Sequence, residues 1–126
     1  MNAEQVFEAW AAAALKKDTD AMADLYLKDG EHHFPFRAGA PYIKGREAIR
    51  DHLAGTFGKA PFEFESLRTR VHHTDDPNTI VVECTFEGVK LPERTPFAPS
   101  YVEIFTVRAG GIESVRDYEN LAYRAT

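Results

Sequence analysis

A single cysteine, Cys84, in 126 residues excludes an intrachain disulfide. Its surroundings, Ile80-Val81-Val82-Glu83-Cys84-Thr85-Phe86, read as a strand, so the thiol is expected to be buried and inert. Long apolar runs are also missing, and the stretch from Trp10 to Leu15 is too short to span a bilayer. The opening Met1-Asn2-Ala3-Glu4 lacks a basic region, so no signal peptide is expected and a cytoplasmic location follows. Basic charge is scarce: 15 Lys and Arg stand against 20 Asp and Glu, a net charge of -5 without a basic cluster, which argues against nucleic acid and anionic membranes as partners. Phosphate-binding glycine loops, Cys-pair zinc signatures, nucleophile elbows and dinucleotide fingerprints are absent. Chemistry must therefore come from ionisable side chains, and no cofactor is expected.

What is present is an ordinary globular composition, 44% hydrophobic and 28% charged, long enough for one domain over residues 1–126. Asn2 followed by Gln5 has the form of a capping box, and Val6, Phe7, Trp10, Ala11, Ala14 and Leu15 recur at helical spacing, predicting a helix over about residues 3–16. Asp18-Thr19-Asp20 offers caps for a second helix holding Met22, Leu25 and Tyr26, with Gly30 as its stop. Glu31 to Phe36 is extended and borders a cavity, with Pro35 unsuited to a central strand. A third helix is predicted over residues 46–56, with Ala48, Ile49, His52 and Leu53 on one stripe. Strands follow over residues 62–73 and 79–88, joined by the Asx-type turn Thr74-Asp75-Asp76-Pro77-Asn78. Residues 89–100 hold Pro92, Pro96 and Pro99 and are expected to form an irregular flap. Helices early and four antiparallel strands late imply an α+β domain.

The terminal hairpin organises the rest. Two β-prone runs flank Ala109-Gly110, and placing Arg108 opposite Gly111 puts Val107 opposite Ile112, Phe105 opposite Ser114, and Val102 opposite Asp117. One face then carries Tyr101, Glu103, Phe105 and Val107. The other carries Val102, Ile104, Val115 and Asp117, a carboxylate among apolar neighbours whose burial would favour a general acid or base. A plainer reading pairs Asp117 with Arg116, Arg124 or the backbone near Asn120.

Five histidines supply the other candidates. Adjacent residues of an extended segment point to opposite sides, so His32 and His33 cannot both ligate one metal, although one member of the pair can face inward. The same holds for His72 and His73. No metal site is expected. His52 shares an apolar stripe and must find a hydrogen-bond partner or stay neutral, as a satisfied helix-edge histidine or as a functional one. With Asp117 it would make a proton-transfer pair facing one apolar cavity.

The Lys17-Asp18-Thr19-Asp20 junction, the Gly45-Arg46-Glu47-Ala48-Ile49 helix start and the closing Arg116-Asp117-Tyr118-Glu119-Asn120 resemble the nuclear-transport-factor-2-like (NTF2-like) cone fold in its SnoaL-like polyketide-cyclase branch. Thr74-Asp75-Asp76-Pro77-Asn78, Val82-Glu83-Cys84 and the last strand are similar to the phenazine biosynthesis A/B proteins. The resemblance implies a curved sheet around a long helix, an internal pocket, and a homodimer through the sheet's outer face. Matched by position, the phenazine acid/base pair falls on His52 and Asp117, with aspartate shorter than the family's glutamate by about 1.5 Å, one covalent bond. The polyketide cyclases' last-strand aspartate matches Asp117 directly. The place of the ketosteroid isomerase base is taken by Phe34-Pro35, so Phe34 and Phe36 are expected to line an apolar pocket. Trp10, Tyr26, Tyr42, Val102, Ile104 and Val115 complete the expected pocket. The implied function is cofactor-free enolisation, cyclisation, isomerisation or dehydration of a small hydrophobic, ring-containing carbonyl compound. The alternatives are a dimeric binding protein with the same pocket, and a fold whose aromatic side chains fill it.

Overall fold

A computed structural model describes residues 1–120. Helix α1 (Ala3–Leu15) begins with the capping box: the Gln5 amide donates to Asn2 Oδ1 at 2.8 Å and the Asn2 amide to Gln5 Oε1 at 3.0 Å. Its apolar stripe buries Val6, Phe7, Trp10 and Ala14. Asp18 caps α2 (Thr19–Asp24) by accepting from the Ala21 amide at 3.1 Å. No helix among the described residues is long and apolar enough to cross a membrane.

The second helix ends earlier than its apolar spacing predicts. Tyr26 already belongs to a strand, β1 (Tyr26–His33), and Gly30 lies inside it instead of ending a helix. A Cβ at Gly30 would stand 2.8 Å from the Ile112 carbonyl oxygen, so its hydrogen allows two backbones to approach closely. Strand β2 (Tyr42–Lys44), α3 (Arg46–Gly55) and a single 3₁₀ turn (Phe57–Lys59) follow.

Strands β3 (Phe62–His73) and β4 (Thr79–Lys90) form the expected hairpin, with the Asn78 amide donating to Asp76 Oδ1 at 2.9 Å in the turn. The proline-rich stretch is partly regular, since β5 (Thr95–Phe97) pairs with β4. Strands β6 (Ser100–Arg108) and β7 (Gly111–Glu119) complete a curved sheet ordered β2-β1-β7-β6-β4-β3. The β1–β7 pairing is parallel, so the sheet is mixed, not wholly antiparallel. Long-range pairing of the chain's early and late strands leaves no local periodicity to read. The concave face packs on α1, where Phe7 and Trp10 meet Phe105 edge-on at 5.3 and 5.4 Å between ring centroids.

The terminal hairpin turns at Ala109 and Gly110, both at positive φ, and pairs Arg108 with Gly111 and Val107 with Ile112 as expected. A bulge then inserts Glu113, so that Thr106 faces Ser114, Phe105 faces Val115, Glu103 faces Asp117 and Val102 faces Tyr118. The cause lies in the apolar spacing. Ile112 and Val115 are both fully buried, and residues three apart cannot share a face under strict alternation. One extra residue brings both inward, and every later side chain of β7 moves to the opposite face from the one predicted.

Candidate active site

The shifted register places Asp117 beside Glu103 on the concave face instead of beside Val102 and Ile104. Asp117 is 8% exposed and Glu103 1%. Both line a cavity of about 360 Å³ enclosed by the sheet, α1 and α3. Part of the wall is aromatic, built by Trp10, Phe34, Phe57, Phe62, Phe86 and Phe97. The ionisable groups of the lining are His32, Arg37, His52, Glu103, Asp117 and Glu119, together with the phenol of Tyr101.

Asp117 is held by His32, whose Nε2 lies 3.1 Å from Asp117 Oδ2. A carboxylate only accepts, so Nε2 is the donor to it, and in the tautomer with the hydrogen on Nε2 the Nδ1 atom accepts the Tyr26 hydroxyl at 2.8 Å. Tyr26, His32 and Asp117 therefore form one buried chain. The other oxygen, Asp117 Oδ1, is buried with no hydrogen-bond partner. A buried acceptor without a partner is energetically costly, and it belongs to a residue that lines the cavity.

Glu103 is a different kind of carboxyl. Burial, and then the negative charge of Asp117 opposite, push it well above the usual carboxylate range and favour its neutral form. The Cys84 thiol donates to Glu103 Oε1 at 3.3 Å. Burial and the nearby carboxylates raise the Cys84 thiol and the Tyr101 phenol, so both stay protonated at neutral pH.

His52 lines the cavity from α3, but among the described residues no hydrogen bond joins it to Asp117; its ring faces Phe34 at 5.7 Å between centroids. Burial first, then the positive charge of Arg37, lower its pKa and keep the imidazole neutral. Arg37 lies over the Phe34 ring at 3.6 Å and donates to Glu119 Oε1. Among the described residues no three His, Cys, Asp or Glu side chains converge to hold a metal ion.

Of the residues expected at the pocket, His52, Asp117, Trp10 and Phe34 line it. Tyr26 and Val115 are core residues outside the lining, Tyr26 acting through His32. Val102 and Ile104 lie on the convex face, Val102 at 40% exposure, because the bulge exchanged the faces. Phe36 is 61% exposed and meets Tyr118 edge-on at 5.0 Å: a turn closed by the Arg37 amide donating to the Phe34 carbonyl at 3.1 Å ends the alternation after Phe34. Tyr42 is 56% exposed, since it pairs with the outward His33 and stacks on it at 4.8 Å.

Sequence reasoning missed His32, Arg37 and Glu103 as a group. Glu103 had a signal: it shares alternation with Phe105 and Val107, both core residues. Arg116, one proposed partner of Asp117, faces outward opposite Ile104, and Arg124 lies outside the described residues.

Several solved structures share this architecture, which is found in NTF2-like and ketosteroid-isomerase-like proteins. A candidate isomerase from Bacillus subtilis is 27% identical with a TM-score of 0.83, over 95% of this chain and 87% of that one. A candidate polyketide cyclase from Xanthomonas campestris is 22% identical with a TM-score of 0.75, over 97% and 93%. A phenazine biosynthesis-related protein from Pseudomonas aeruginosa is 19% identical with a TM-score of 0.69, over 96% and 87%. No curated protein matches by sequence. Residues 3–115 match the SnoaL-like domain, and the chain belongs to that family.

Proposed function

We propose that the protein is an acid/base catalyst that enolises, and so isomerises or cyclises, a small hydrophobic ring-containing carbonyl compound without a cofactor. The observation that carries this reading is Asp117: one oxygen is held by His32, and the other is buried and unpartnered at an aromatic-walled cavity. Asp117 Oδ1 takes a proton from the carbon next to the carbonyl, and the aromatic wall holds the ring. The neutral imidazole of His52 and the phenol of Tyr101 orient the polar end of the ligand. Neighbours named as isomerase and polyketide cyclase support chemistry of this class. The exposed Phe36 and Val102, with the half-buried Tyr118 that touches Phe36 and faces Val102, make an apolar strip on the convex face that supports a homodimer formed there.

The test is deuterium incorporation from heavy water into the acidic carbon of β-tetralone, followed by NMR. Wild-type protein should accelerate the exchange above buffer, and Asp117→Asn should remove most of that acceleration while the melting curve stays cooperative. Binding without exchange by wild type, read from the fluorescence of Trp10 at the cavity wall, would instead favour a binding protein.

A further inference from the structure

The geometry points to a second class of ligand for this cavity: a ring compound carrying a protonated amine, its ammonium group held at the Glu103–Asp117 end and its ring against the aromatic wall. Such binding needs the charge of Asp117 and the wall, and it does not need catalysis. An amine of this kind competes with the carbonyl compound for one cavity.

Charge is unevenly placed in the lining. Glu103, Asp117 and Glu119 all reach the cavity, and among the described residues Arg37 is the one arginine or lysine there. That guanidinium is committed, since Nε donates to Glu119 and the group lies over Phe34. Asp117 is left without a cation of its own: His32, in the tautomer with the hydrogen on Nε2, supplies a hydrogen bond and no charge. The bulge at Glu113 sets Glu103 directly opposite Asp117, which places two carboxyls on one face at this end of the cavity. Their neighbours register the field. At Tyr26 on β1, Cys84 on β4, and Tyr101 and Glu103 on β6, burial first and then nearby carboxylates, Asp117 among them, hold the proton on. A cation placed among these groups is attracted by the field that raises them, and low-dielectric walls strengthen that attraction.

The wall at this end suits a cation as well. Trp10, Phe86 and Tyr101 line the cavity there: Phe86 meets Tyr101 edge-on at 6.0 Å, and Trp10 meets Phe105, two residues along β6 from Glu103, at 5.4 Å between centroids. Aromatic faces attract an ammonium group through the ring quadrupole, more strongly where water is excluded. Acceptors for its N–H groups line the same cavity, in the Asp117 carboxylate, the Tyr101 oxygen and a nitrogen of the neutral His52 ring. A neutral ring of the same shape gains the apolar contact alone, and an anion at this end is repelled by Asp117. The cavity therefore separates amine from alcohol on one skeleton by charge.

The test compares 2-aminotetralin, protonated at neutral pH, with 2-tetralol, its uncharged counterpart, by the fluorescence of Trp10, the chain's one tryptophan. Wild-type protein should bind the amine about tenfold more tightly or better, the order expected of one charge-assisted hydrogen bond. The double variant Asp117→Asn, Glu103→Gln keeps the shape of both side chains and lets neither carry a charge, so the two affinities should come together. Equal affinities in wild type, or no binding of either compound, would overturn the proposal. So would an amine preference that survives in the double variant, because the cation would then be held elsewhere, as at exposed carboxylates of the surface. If that variant does not fold, NMR of the wild-type complex decides: nuclear Overhauser contacts from the proton on the amine-bearing carbon to the Trp10 and Tyr101 rings uphold the site, and their absence overturns it. The β-tetralone exchange assay reads the acid/base function separately, so amine preference without exchange upholds this site and overturns that function.

Discussion

His32 and Asp117 are 85 residues apart in sequence and joined by a hydrogen bond of 3.1 Å. The parallel pairing of β1 and β7 sets His32 beside Val115, and Asp117 follows two residues later on the same face. The bond thus depends on that pairing and on the Glu113 bulge together.

Replacing His32 by Leu should expose what the bond does. Asp117 Oδ2 and the Tyr26 hydroxyl would lose their shared partner in a buried site, at a cost of about 1–3 kcal/mol for each unsatisfied group. Urea unfolding should show the loss. In an Asp117→Asn background the cost of His32→Leu should be smaller, because the charge that His32 serves is gone. Equal costs in both backgrounds would refute the coupling.

The pH dependence of stability should report Glu103. Its native pKa is raised above the unfolded value of about 4.3, so above that pH the unfolded chain releases the proton while the native protein keeps it. This contribution is full below the unfolded pKa and is lost as pH rises towards the raised native pKa. The slope from this group is at most about 1.4 kcal/mol per pH unit. Glu103→Gln has no such proton to lose, so its stability relative to wild type should improve as pH rises from about 5 towards the raised native pKa of Glu103. A constant difference across that range would show an ordinary carboxyl.

Deleting Glu113 should be far more damaging than substituting it. Glu113→Ala keeps the extra residue and should change unfolding free energy by no more than about 0.5 kcal/mol, as an exposed position. Deletion forces strict alternation, so that Ile112 and the shifted Val115 and Asp117 can no longer all face inward. Loss of the cooperative melting transition is the expected result. A deletion variant that melts like wild type would disprove the bulge as the determinant of register.

The convex face should govern assembly. Val102→Lys or Tyr118→Lys places a charge in the apolar strip and should convert a dimer to a monomer of 14.2 kDa in analytical ultracentrifugation. Wild-type protein sedimenting as a monomer would remove the basis for a dimer at this face.

The sequence alone determined the elements whose signals are local. The Asn2–Gln5 capping box, the α1 stripe, the Asx turn before β4 and the two-residue hairpin turn each rest on side chains a few residues apart. It also singled out Asp117, Trp10, Phe34 and His52 as residues of the pocket. Tertiary structure decided the rest. Gly30 looks like a helix stop until β7 is placed beside it, and the proline-rich β5 becomes a strand only when β4 supplies its partner. The face of Asp117 turned on one residue: simultaneous burial of Ile112 and Val115 required a bulge, and the bulge replaced Val102 with Glu103 as the residue opposite. Register is a property of the packed sheet, so a period of two read from one strand assigns the alternation, and the core it packs against assigns the side.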